Sequence, residues 1–211
     1  MRKLALLALF IPSAVLAQPY APPPSGGPAY GGPTYAMPAD PLAFHQGMTF
    51  EANLGVGYAR ASANGMSDSS DAALAGADFG LGGWMSPNLA ITARIAGVQV
   101  KSGTGPQNGT LVNAFFGPSA QYWFDPHIWV GGGAGLSTYR QVGGNCTSAD
   151  NCGVNGFGLD FRAGYSMGDT QHVFNVSVEV NPGFYSIDTG AGTSVGISVT
   201  SIALLAGYQY L

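Results

Sequence analysis

The chain has 211 residues, of which only 9% are charged and 33 are glycine, and its formal net charge is −4. Seven Lys+Arg on an acidic chain cannot neutralise a run of phosphates, which excludes nucleic-acid binding, and each glycine costs a helix about 1 kcal/mol, which argues against a helical bundle. What remains is an all-β chain much poorer in charge than the roughly 25% of an ordinary soluble domain.

Arg2 and Lys3 precede an unbroken apolar run from Leu4 to Ile11, Pro12 breaks it, and Val15 and Ala17 supply small residues before a cleavage point. Residues 1–17 are therefore expected to be a secretory signal peptide cut after Ala17. The run is too short for a transmembrane helix, which needs about 20 apolar residues. Gln18, not Cys, follows the cut, which argues against a lipid-modified N-terminus. Residues 18–45 form a Pro/Gly-rich tail that contains Pro22-Pro23-Pro24 and Gly26-Gly27-Pro28. Such a segment favours polyproline II and cannot bury a core. It reads as a solvated periplasmic tether or as a Tyr/Pro ligand for a periplasmic partner, and its composition does not choose between them.

From residue 46 onward the chain alternates with period two. Met48, Phe50, Ala52, Leu54, Val56 and Tyr58 share one face, opposite Thr49, Glu51, Asn53, Gly55 and Gly57. Seven more runs repeat the pattern. Phe79 and Leu81 stand opposite Asp78 and Gly80, then Ile91 and Ile95 opposite Thr92 and Arg94, and Phe116 and Tyr122 opposite Asn113 and Gln121. Further on, Val130 and Leu136 oppose Gly131 and Gly135, Phe161 and Tyr165 oppose Asp160 and Arg162, and Val176 and Val178 oppose Ser177 and Glu179. The eighth run ends at Leu211. Its apolar residues change parity between Val199 and Ile202. A β-bulge near Thr200-Ser201 would account for that, and so would an inward turn at the strand end.

The eight runs are roughly ten to fourteen residues long, whereas strands in globular proteins usually have about five or six. A membrane strand tilted near 45° needs about 9–11. Connections alternate strictly, with short turns at Ser86-Pro87-Asn88, Asp125-Pro126-His127 and Gly168-Asp169-Thr170 and longer polar loops elsewhere. These features predict an eight-stranded antiparallel up-and-down transmembrane β-barrel over residues 46–211. An eight-stranded interior has room only to be filled by side chains, so the bulky face is placed toward lipid and the small polar face inward, with its glycines leaving space. On that reading Glu51, Asp78, Arg94, Asp160, Arg162 and Glu179 form a charge network in the lumen, where pairing lowers the cost of burial. The network reads first as a structural plug and second as a narrow, weakly cation-preferring pore.

The terminal Gly207-Tyr208-Gln209-Tyr210 segment, taken with the signal peptide and the topology, resembles the small eight-stranded outer-membrane barrel family, the outer membrane protein A and X type. The resemblance covers about residues 45–211. It implies residence in the outer membrane of a Gram-negative cell, contact with outer-membrane lipid, and recognition of Tyr208, Tyr210 and Leu211 by the barrel-assembly machinery. This chain departs by ending on Leu211, where the family usually ends on Phe.

Little catalytic chemistry is available. His45, His127 and His172 all fall on the short-turn side, away from the rim where barrel enzymes work, so no enzyme, cofactor or metal site is expected. Cys146 and Cys152, six positions apart in a polar loop, are expected to form one small disulfide in an exported protein. A role in structure or in surface interaction through extracellular loops, with an unidentified ligand, is the leading expectation.

Overall fold

The computed structural model describes Leu42 and residues 45–63, 66–69, 73–102, 109–143, 153–168, 171–188 and 194–211. The strands are β1 (Met48–Ala63), β2 (Met66–Ser69), β3 (Ala73–Ser86), β4 (Leu89–Ser102), β5 (Gly109–Trp123), β6 (Ile128–Gly143), β7 (Gly153–Met167), β8 (His172–Asp188) and β9 (Ser194–Tyr210). Each pairs antiparallel with its sequence neighbour, and β9 returns to pair with β1, closing the sheet. The short β2 pairs with β1 at Arg60–Ala63, beyond the point where β3 pairing ends at Gly57, so β2 and β3 together make one stave. The ring therefore has eight staves, and closure removes the exposed edges that an open sheet of this length would present.

Alternation alone decides which way each side chain looks. The large residues of one parity are exposed on the outer surface, among them Phe79, Phe116, Phe161 and Val178, each roughly half accessible. Their sequence neighbours of the other parity are buried. Water on both faces would not tolerate so continuous an apolar exterior, whereas hydrocarbon demands it. At the short-turn end, Phe50, Tyr122, Phe124, Tyr165, Phe174 and Tyr208 face outward as an aromatic girdle. Phe157 and Phe184 do so nearer the loop end.

Of the two accounts of the last strand, the bulge is not present. The register of β9 runs unbroken against both β1 and β8. Val199 points into the barrel at 1% exposure, while Ile202 and Leu204 point out. An apolar inward residue needs no parity switch where the interior itself is apolar, as it is at this end.

The short turns are fastened by side chains. Asn88 Nδ2 donates to the Trp123 carbonyl at 2.9 Å, and the Trp123 amide donates to the Asn88 carbonyl at 2.8 Å. In the β5–β6 turn, Asp125 Oδ1 accepts from the backbone amides of His127 at 2.7 Å and Ile128 at 2.8 Å. The His127 amide followed by that of Ile128 holds the half-buried Asp125 carboxylate below its usual pKa. A depressed carboxylate stabilises the fold above its unfolded pKa of about 3.9 and loses that contribution as pH falls through the folded value. Thermal midpoints of wild type and Asp125→Asn should therefore differ at pH 6 and converge in acid; a constant difference would disprove the titrating turn.

Candidate functional site

The barrel interior is built in three layers, and the six residues of the sequence-predicted charge network fall in the middle one. At the short-turn end, Trp84 of β3, Trp123 of β5 and Trp129 of β6 converge with Val173 of β8 and Leu211. Trp129 Nε1 donates to Ser166 Oγ at 3.1 Å. Over this floor lies His45, its ring stacked on Trp84 at 4.2 Å and edge-on to Trp123 at 4.6 Å. Its Nδ1 sits 2.7 Å from the Pro87 carbonyl oxygen. Gly47, at φ 78°, takes the left-handed conformation that glycine tolerates and carries the chain from this cap into β1. His45 was placed in a solvated tail on composition, but Leu42 and His45 are buried against the barrel mouth.

The middle layer centres on Arg94 of β4, which is fully buried. Its Nη1 pairs with Glu51 Oε1, its Nη2 lies 2.5 Å from Glu179 Oε2 and 3.1 Å from Asp78 Oδ2, and its Nε lies 3.3 Å from Asp160 Oδ2. Arg162 of β7 donates through Nη1 to the same Glu51 oxygen, and its guanidinium stands 5.1 Å from the Trp129 ring centre. Amides complete the acids: Asn53 Nδ2 donates to Asp78 at 2.8 Å and Asn181 Nδ2 to Asp160 at 3.0 Å. One cation thus bridges carboxylates from β1, β3, β7 and β8. Buried charges tolerate such a place only when paired and hydrogen-bonded.

Toward the loop end the interior turns apolar. Ala59, Val98, Val100, Ala203 and Leu205 pack together with Leu111. Beside them, Tyr185 Oη donates to Asn113 Oδ1 at 2.6 Å and lies 2.5 Å from Ser137 Oγ, while Asn113 Nδ2 donates to Ser201 Oγ at 3.0 Å. The charged layer is therefore enclosed by a tryptophan floor below and an aliphatic and amide layer above.

The expectation that the inward glycines leave space is corrected by their neighbours. The inward glycines do not leave space; they receive large neighbours. Gly80 lies between Glu51 and Arg94 in the strand register, and a Cβ there would come 2.9 Å from Glu51 Oε1 and 3.4 Å from Arg94 Cγ. A Cβ on Gly164 would collide with the Trp129 indole, and one on Gly131 would lie 2.6 Å from Arg162 Nε. Phe115, Tyr185, Leu205 and His45 were missed as interior residues. The first three could have been found by parity, since each shares the inward register of its strand; nothing local signals His45.

At the C-terminus, Tyr208 faces outward against His172, and Tyr210 stacks on Phe50 at 5.8 Å. Leu211 does not join them, because it turns into the mouth and is buried against the tryptophans. Residues 1–41, which include the expected signal peptide, and Cys146 and Cys152 lie outside the described residues.

No family model and no curated protein matches the sequence. Solved structures do. Neisserial surface protein A is 18% identical with a TM-score of 0.50, covering 77% of this chain and 96% of that one. The attachment invasion locus protein of Yersinia pestis, solved with the heparin analogue sucrose octasulfate, is 13% identical at a TM-score of 0.46, covering 78% and 99%. The outer membrane protein OprG from Pseudomonas aeruginosa is 11% identical at 0.43, covering 79% and 97%. At these identities the likeness speaks to fold alone. The closed eight-stave ring and its apolar exterior define an eight-stranded transmembrane β-barrel, a fold with which the likeness to Neisserial surface protein A agrees.

Proposed function

We propose that the protein is a closed scaffold, a non-conducting barrel whose role is structural and surface-facing and is carried by the connections at the end opposite the short turns. Arg94 carries the reading. Its guanidinium is fully buried inside the barrel and is tied to acids on four strands. An ion crossing the barrel would have to part these pairs, and then pass both the tryptophan layer and the aliphatic layer, where nothing replaces its hydration. Rigid scaffolds concentrate binding on the loops they hold, which favours an extracellular binding or adhesion role over transport. The runner-up remains a narrow cation-preferring pore, because the interior holds four acids against two arginines. On this reading residues 1–17 are a cleaved signal, residues 18–45 a periplasmic tail, and Tyr208 and Tyr210 the surface offered to the barrel-assembly machinery.

Planar-bilayer recording on the full mature chain separates the two. The wild type should give no reproducible steps at 100 mV in 1 M KCl. Small cation-selective steps that vanish in Glu51→Gln or Glu179→Gln would replace the scaffold with the pore. Exchanging residues 103–108 and 144–152 for short Gly/Ser turns should leave the heat-dependent gel shift intact and abolish any adherence the protein confers on cells.

A further inference from the structure

One side of the outer surface carries a groove among the described residues. There Ala77 of β3, Gly97 of β4 and Ala114 of β5 stand side by side in register, a row of three small residues across three strands. The next outward row toward the membrane middle is bulky, with Phe79 paired to Ile95. On the loop side the row is Gln99 paired to Val112. Large residues flanking small ones leave a concavity of about 350 Å³ with Ala77, Gly97 and Ala114 as its floor. That is within the range of roughly 300–1,000 Å³ for small-ligand sites. Gly97 has no side chain to fill it, and the outward parity of all three residues opens it to lipid rather than to the lumen.

Charge above this groove is equally uneven. Of the seven Lys+Arg in the chain, Arg2 and Lys3 lie in the leader, and Arg94 and Arg162 are buried inside. The remaining three, Arg60, Lys101 and Arg140, are exposed, and all three sit toward the loop end. Lys101 follows Gln99 by two residues on the same face of β4, and Arg140 is paired with Val112. Both cations therefore rise from the loop-side wall of the groove, one on each side of β5. No acid shares the outward faces of β4, β5 and β6 among the described residues. At ~3.3 Å per residue and ~45° tilt, the rise from Ile95 at mid-strand to Lys101 is about 14 Å, half of the ~30 Å hydrocarbon thickness. The two cations stand at headgroup depth while the groove lies within the acyl chains.

The geometry points to a lipid-binding site: a phosphorylated lipid of the leaflet adjoining the loops lays an acyl chain over Gly97 between the Phe79/Ile95 and Gln99/Val112 walls, and its headgroup phosphate pairs with Lys101 and Arg140. Area and charge complement each other. The small-residue floor supplies shape for the chain, and paired cations at an interface attract an anionic headgroup more than a neutral one. The site is independent of whether the lumen conducts.

The test uses the full chain refolded into phosphatidylcholine nanodiscs doped with bis-phosphorylated lipid A or with its dephosphorylated form, which has the same acyl chains. Lipid retained per barrel is counted by native mass spectrometry, and the heat-dependent gel shift verifies folding of every variant. Wild type should retain about ten-fold more of the phosphorylated form. The double variant Lys101→Gln/Arg140→Gln should fall to parity, while Arg60→Gln, which is paired with Ser69 and Thr200 rather than with a residue of the groove, should behave as wild type. Ala114→Leu, or Ala77→Leu should the first fail to fold, fills the floor and should lower retention of both forms. Equal retention of the two forms by wild type would overturn the site. So would a preference that survives the double variant, an equal loss in Arg60→Gln, or retention indifferent to the filled floor.

Discussion

Replacing Arg94 by methionine should destabilise the barrel by about 3–5 kcal/mol, the usual consequence of removing one partner from a buried ion cluster. Methionine conserves much of the volume, so the loss is electrostatic rather than a cavity. Glu51, Asp78, Asp160 and Glu179 would remain buried around an apolar side chain, with only Arg162 left to face them. Chemical unfolding from vesicles measures this as a drop in midpoint at constant slope. Adding Glu179→Gln to Arg94→Met should recover part of the loss, because it removes one of the stranded acids. A single variant within about 1 kcal/mol of wild type would mean that the interior cluster contributes no more than an exposed ion pair.

The neighbouring residue carries the second large effect. Ile95→Arg should cost about 2–4 kcal/mol, the range for a cation at the midplane of a lipid-facing strand. Ile95 is 55% exposed in mid-strand, so water would accept arginine there at almost no cost while hydrocarbon would not. The same unfolding assay reads the difference, and Lys101→Ala at the headgroup end should be nearly neutral. A neutral Ile95→Arg would remove lipid from the outer face and with it the membrane assignment. Arg94 and Ile95 are adjacent in the chain and opposite in every environmental respect, which makes the pair a direct test of how the sheet is turned.

Much of this was legible because a strand writes its two environments alternately into its residues. Phe79 beside Asp78, or Phe161 beside Asp160 and Arg162, declare their faces without any knowledge of partners. Turn chemistry at Pro87-Asn88 and Asp125-Pro126 set the strand order, since an up-and-down chain pairs each strand with the next. The last strand was harder, because Val199 is apolar on the inward side. Parity is ambiguous wherever the interior is itself apolar, and only the unbroken register against β1 and β8 resolves it.

Contacts across the barrel are of another kind. Glu51 and Arg162 are separated by 111 positions and meet only because the sheet closes. The identity of a face says nothing about which residue of a distant strand shares its height, since height follows from tilt and register together. The inward glycines illustrate the same point. Read along the chain they suggest empty volume, and read across it they are the clearance required by Trp129, Arg162 and Glu51. His45 has no periodic signal at all, because its place depends on two tryptophans that come from different strands.

The amino-acid order by itself determined that this chain makes long alternating strands, where they turn, and which side chains face lipid, because those properties depend on one residue and its immediate neighbours. The tertiary structure alone decided which neighbours occupy the clearance at the inward glycines, that Arg94 gathers four acids, that His45 caps the mouth, and that Ala77, Gly97 and Ala114 align into a groove beneath Lys101 and Arg140. Those depend on the register of separate strands around a closed ring, a relation that no local pattern encodes.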